Sequence, residues 1–224
     1  MNILAHWYLS ESRSEEFKFG AILPDLAKMG GGRVIRLNNP RERASLPDGL
    51  KEVYRGVDFH VFTDQAYDNL PQVSRLRRVY ADEIYPHYFR ENRLLKRFLP
   101  VVLGDLLLDG VLLRGSPMLR EVVATSVARS DTVASVDVST IPNGLDEVKS
   151  RFISNIPDYA MIDDVLLATQ GVLKRRFGFE LTRDGRAALF GSALRYRAYV
   201  EHAGPSILLS IGMIARKYHD NDLD

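Results

Sequence analysis

The side chains able to do chemistry are His6, Asp25, His60, Asp64, Asp68, Asp105 and Asp109. Several stand in apolar company. His6 lies within Ile3-Leu4-Ala5-His6-Trp7-Tyr8-Leu9, and Asp25 within Ile22-Leu23-Pro24-Asp25-Leu26-Ala27. Asp105 and Asp109 interrupt a run of valines and leucines that begins at Val101. His60, Asp64 and Asp68 recur at four-residue intervals, as do Asp105 and Asp109. On a helix that interval puts side chains on one face, one turn apart. A lone carboxylate among leucines is expensive to desolvate, so it must be neutralised, ion-paired or bound to a cation. A divalent metal satisfies several carboxylates at once. Imidazole and carboxylate ligands without thiolate suit Mn, Fe, Zn or Mg. Helix bundles hold such centres between facing helices, with the ligands pointing inward.

Taken singly, each of these residues is more simply read as a buried salt-bridge partner, a cap or an exposed group. The metal reading rests on their combination. The pair Asp105 and Asp109 would be the polar stripe of a helix with almost no other polar residue, which argues against a solvated face. His87, His202 and His219 have no such company and read as ordinary surface or partly buried histidines.

The elements that must position these groups are helical. Apolar residues recur three and four apart over 70–98, 145–156 and 161–177, the period of one helix face. Pro86 divides the first stretch into two helices. Two further helices are expected at 187–199 and 206–218, with start signals at Asp146 for the 145–156 helix and Ser206 for the last. Loops are expected around 30–50, at 115–117 and around 130–144. The last is rich in Val, Ser and Thr and has room for one isolated strand, which would not stabilise itself. No repeat or low-complexity tract is present. The expected architecture is mostly α, a single-domain compact helical bundle over residues 1–224.

Composition narrows the function classes. The chain has 224 residues, 46% hydrophobic and 26% charged, so it folds around a core rather than remaining disordered. The absence of cysteine excludes disulfides, zinc–thiolate sites, a Cys nucleophile and iron–sulfur clusters. It also fits a cytoplasmic location. A net charge of +1 gives the whole molecule no large electrostatic bias. No signal peptide or membrane span is expected: the most apolar stretch, 98–113, carries two aspartates and falls short of the ~20 residues a span needs. Gly30-Gly31-Gly32 is followed by Arg33 and Val34 rather than Lys and Ser or Thr, so it reads as a surface loop and not a nucleotide loop.

In order and approximate separation, several segments resemble the acyl carrier protein phosphodiesterase family, small helical proteins distantly similar to HD-domain metal phosphohydrolases. They are Met1-Asn2-Ile3-Leu4-Ala5-His6; Phe19-Gly20 followed by Asp25 and Lys28; Gly56-Val57 with His60, Asp64 and Asp68, running into Asn69-Leu70-Pro71-Gln72-Val73; and the Asp105 to Asp109 pair. The resemblance covers the first half of the chain. The second half matches only in helical character and in Gly212-Met213 with Arg216. It implies an HD-domain-like fold and hydrolysis of the phosphodiester joining 4'-phosphopantetheine to a carrier-protein serine, a reaction of lipid metabolism. It further implies a divalent metal, Mn, held by His6, His60, Asp64, Asp105 and Asp109, with Asp25 and Asp68 as catalytic acids or bases. The sequence departs from the family pattern at Ala21 (usually Asn), Val61 (usually basic) and Gly110 (usually His). The lost charges would have bound phosphate. Two other readings follow from these departures: a metal phosphohydrolase acting on a small phosphate ester or nucleotide, and a catalytically inactive helical binding protein.

Basic residues cluster in two places: Arg75, Arg77, Arg78, Arg90, Arg93, Lys96 and Arg97, then Lys174, Arg175, Arg176, Arg183 and Arg186. Such clusters suit an acidic partner, as an acyl carrier protein would be, and equally suit solvated helix faces. No nucleic-acid-binding motif accompanies them.

Overall fold

Local signals set many of the helix ends. Ser14 caps the second helix by accepting from the Phe17 N–H at 3.2 Å, with Glu15 and Glu16 in its first turn. Asn92 accepts from the Leu95 N–H at 3.0 Å at the start of another. Gly178, at φ +62, ends a third in the left-handed conformation that glycine adopts without penalty. The computed structural model describes residues 3–32, 34, 37, 39–130, 144–154 and 156–221. Its helices are α1 (Ile3–Leu9), α2 (Glu15–Met29), α3 (Pro40–Ala44), α4 (Asp48–Asp68), α5 (Pro71–Val79), α6 (Arg93–Gly115), α7 (Leu119–Arg129), α8 (Leu145–Ser154), α9 (Ile162–Phe177) and α10 (Arg183–Asn221). No strand occurs among the described residues, so the protein is mostly α as expected.

The chain groups into two compact units, each assembled from separated stretches. The first takes its described residues from Met1–Ala66, Met118–Ile156 and Ile211–Asp224. Leu4, Phe17, Ile22, Leu23, Leu26 and Phe59 are fully buried in it, each contributing roughly 1.5–3 kcal/mol by leaving water. Between α2 and α4 the backbones touch. A Cβ on Gly20 would lie 2.0 Å from the Val53 carbonyl oxygen, and one on Gly56 would lie 2.1 Å from that of Phe17. Only glycine at both positions permits this crossing.

The second unit takes Tyr67–Pro117 and Pro157–Ser210. Its core holds Tyr80, Leu95, Leu99, Leu103 and Tyr196. Buried hydroxyls find partners: Tyr80 pairs with Ser192 at 3.2 Å, and Tyr196 donates to the Pro100 carbonyl at 3.3 Å. Here too a glycine marks a close approach. A Cβ on Gly110 would lie 2.3 Å from the Tyr159 carbonyl oxygen. A histidine at that position, the family pattern, would collide with this backbone.

The helices expected at 145–156 and 161–177 are present as α8, which ends at Ser154, and α9, which starts at Ile162, and the break at Pro86 falls between α5 and α6. Two boundaries differ. The segments 187–199 and 206–218 form one helix, α10, with Pro205 inside it. Proline removes one backbone hydrogen bond at a cost of about 3 kcal/mol. The buried residues Val200 and Ile207 on either side hold the helix through it. The region 30–50 is not loop throughout: Asn39 and Pro40 start α3, and α4 begins at Asp48. Residues 131–143, most of the segment read as a loop with room for a strand, lie outside the described residues.

Candidate metal centre

Three helices of the first unit deliver the site. The first, α1, carries His6, buried along with Leu4, Ala5 and Trp7. The second, α2, brings Asp25, whose side chain is 12% exposed. His60 and Asp64 come one turn apart from α4, as their spacing predicts. His6 Nε2 lies 3.1 Å from Asp64 Oδ1, and His60 Nε2 lies 3.3 Å from Asp64 Oδ2. Asp25 approaches from the other side, with Oδ2 3.9 Å from His6 Nε2 and Oδ1 3.9 Å from His60 Nε2. The two imidazoles stack at 3.9 Å between ring centroids.

The far nitrogens are both committed. His60 Nδ1 lies 2.8 Å from the Ala21 carbonyl, which only accepts, so Nδ1 carries the hydrogen. His6 Nδ1 lies 3.2 Å from Thr63 Oγ1. That hydroxyl has one hydrogen, directed at the Phe59 carbonyl at 2.8 Å or the His60 carbonyl at 3.1 Å. The His6 ring thus shares the Thr63 hydroxyl with these two carbonyls. With each Nδ1 occupied by an outer partner, Nε2 is the ring nitrogen that faces the carboxylates. This is the arrangement in which an outer partner fixes a ligand histidine's tautomer.

The electrostatics agree. Burial, then the neighbouring His60, pushes the His6 pKa down to about 4, so this imidazole is neutral near pH 7. Burial works to raise the Asp64 pKa, but the His6 and His60 imidazoles hold it well below the usual carboxylate range. Asp25 also feels burial raising its pKa, and His60, His6 and Lys28 outweigh it. Lys28 donates to Asp25 Oδ1 at 2.9 Å. Two imidazole nitrogens and two carboxylates thus converge, with both histidines buried. A cation bonded to nitrogen and oxygen at about 2.0–2.2 Å spaces its ligands about 3 Å apart, comparable to the 3.1 and 3.3 Å that separate the His6 and His60 nitrogens from the Asp64 oxygens. These three residues are the set, among the described residues, that can hold a metal ion.

The remaining predicted residues belong to the second unit. Asp68 ends α4 and pairs with Arg77 at 2.6 Å. Asp105 accepts from the Tyr67 hydroxyl; burial first, then this carboxylate, raises the Tyr67 pKa well above its usual value. Asp109 is fully buried. Neither Asp105, Asp109 nor Asp68 is part of the ligand group.

Sequence reasoning missed Thr63 and the Ala21 carbonyl. Thr63 stands three residues after His60, a spacing that shares a helix face and could have drawn attention. A backbone carbonyl leaves no trace in residue types. The signal for it was indirect: Gly20 and Gly56, which let α2 approach until the carbonyl meets His60. The departure at Ala21 does not touch this role, because the main chain supplies the acceptor.

No family model matches the chain, and neither a curated protein nor a solved structure matches it. Among the described residues no helix is long and apolar enough to cross a membrane.

Proposed function

We propose that the protein is a divalent-metal-dependent phosphodiester hydrolase of the acyl carrier protein phosphodiesterase type, with Mn as its ion. The observation that carries the reading is the convergence of two imidazole nitrogens on Asp64, each ring with its other nitrogen held by an outer partner. Two histidines and one carboxylate, without thiolate, suit a hydrolytic first-row ion. A divalent ion bound there supplies Lewis-acid polarisation of a phosphoryl oxygen and lowers the pKa of water. His6, His60 and Asp64 would hold it. Asp25, within 3.9 Å of both imidazoles and ionised, is the group to orient or deprotonate a water. Lys28, three residues on and half in solvent, keeps Asp25 aimed. The substrate class rests on the segments that resemble the carrier-protein family.

The test is incubation of purified protein and Mn²⁺ with holo acyl carrier protein, followed by intact-mass measurement. Loss of the phosphopantetheine mass, abolished in a His60→Ala variant, is the expected result. If the mass is unchanged while a panel of small phosphate esters is hydrolysed, the carrier-protein substrate is wrong and the metal hydrolase stands. If no divalent ion binds at all, the hydrolase reading fails.

A further inference from the structure

One feature of the second unit plays no part in the metal centre. A groove of about 570 Å³ runs between the end of α5 and the start of α6, and basic side chains line it. Arg77 and Arg78 come from the last turn of α5; Arg93, Lys96 and Arg97 come from the first turns of α6. Asp82 is the one acidic residue in the lining. It lies 3.8 Å from Lys96, and Arg77 is held by Asp68 at 2.6 Å. Arg78, Arg93 and Arg97 are exposed and make no hydrogen bond or ion pair with any described residue.

The α6 positions are costly ones for cations. Arg93 and Arg97 are four apart on one helix face, where like charges repel. Arg93 also stands in the first turn of a 23-residue helix, where the macrodipole disfavours it. An anion in the groove relieves both penalties. The floor is small and apolar, Ala81 and Pro100, and no aromatic ring lines it. Base stacking, the hallmark of single-stranded nucleic-acid sites, is therefore missing. Guanidinium groups pair two N–H donors with two oxygens of one phosphate. Three free ones around a compact groove match clustered phosphates better than the spaced, single carboxylates of an acidic polypeptide.

We infer that this groove binds a ligand carrying two or more linked phosphate groups. The inference does not depend on the metal centre. The test uses the full-length chain in excess chelator, so that no metal-borne phosphate binding contributes. Calorimetry and thermal shift are measured with inorganic tripolyphosphate, a nucleoside triphosphate, sulfate and poly-glutamate at matched ionic strength. Tripolyphosphate or the nucleotide should bind and raise the melting temperature, with sulfate weaker by at least tenfold. Equal binding of both assigns the affinity to the phosphates; tighter nucleotide binding identifies the source. Arg93→Gln and Arg97→Gln each remove a charge-assisted contact, so each should weaken binding about tenfold. Both are exposed, so unliganded stability should not fall. Arg97→Lys should recover part of the loss. Tripolyphosphate binding no tighter than sulfate, or binding unchanged in the variants, overturns the proposal. So does poly-glutamate binding in place of tripolyphosphate, which would assign the groove to an acidic protein.

Discussion

Replacing Gly56 by alanine sets two effects against each other, and the sign of the result separates them. Inside a helix alanine is better than glycine by about 1 kcal/mol. At an open position the change would stabilise the protein by that amount. At position 56, however, the new methyl group would lie 2.1 Å from the Phe17 carbonyl oxygen, 2.7 Å from the Ala21 nitrogen and 2.8 Å from Gly20 Cα. All three are backbone atoms and cannot rotate away. Reaching ordinary contact requires α4 to part from α2 by roughly 1 Å, and overpacking of this kind costs about 1–3 kcal/mol or more. Three backbone overlaps this close put the cost at the upper end, about 3 kcal/mol, so net destabilisation of about 2 kcal/mol is expected, lowering the melting temperature by roughly 4–8 °C in a chain of this size. The same displacement stretches the 2.8 Å bond between His60 Nδ1 and the Ala21 carbonyl past hydrogen-bonding range. Loss of such an outer partner typically weakens metal binding about 10–100-fold. Circular dichroism melts and titration calorimetry with Mn²⁺ measure both quantities. Gly191→Ala is the control: that residue is in α10 with nothing near its missing Cβ, so it should gain up to about 1 kcal/mol. Should Gly56→Ala melt as high as the parent and bind Mn²⁺ equally well, the glycine crossing does not position the site.

Three other outcomes follow from the same geometry. His60→Ala should abolish stoichiometric divalent-metal binding, read by elemental analysis after dialysis, and remove any metal-induced rise in melting temperature. Thr63→Val removes the hydroxyl bonded to His6 Nδ1; it should cost about 1–3 kcal/mol and weaken metal affinity while leaving helicity unchanged. Stability of the metal-free protein should fall with acid. The His6 pKa is about 4 folded against 6.5 unfolded, so the unfolded chain binds more protons between those values, and stability drops as pH falls from 6.5 toward 4, by up to about 3 kcal/mol. Denaturant titrations at pH 7 and pH 4.5, compared between the parent and His6→Gln, measure it; an equal slope in both proteins refutes the assignment.

The helices were legible where periodicity was strong and unbroken, as in α8 and α9. The His60–Asp64 pair was legible because both residues share one helix, where spacing alone fixes their relation. His6 and Asp25 were legible only as polar groups in apolar runs; that they meet His60 depends on how α1 and α2 pack, which spacing cannot express. Ser206 misled as a start signal, because local residue types do not show that Val200 and Ile207, buried on either side of Pro205, carry one helix through it. The lost histidine at Gly110 looked like missing charge, whereas in the fold the residue touches the Tyr159 backbone and no side chain fits.

The brevity of α1 has its own consequence. Seven residues are about half the length at which a helix persists unaided in water. This segment keeps its shape because its neighbours hold it, and His6 is its single link to the cation ligands. An ion gripping that imidazole would therefore tether the first turns of the chain as a clasp holds a ribbon. Stripping the ion should quicken amide hydrogen exchange across 3–9 well before it is felt in the long body of α4.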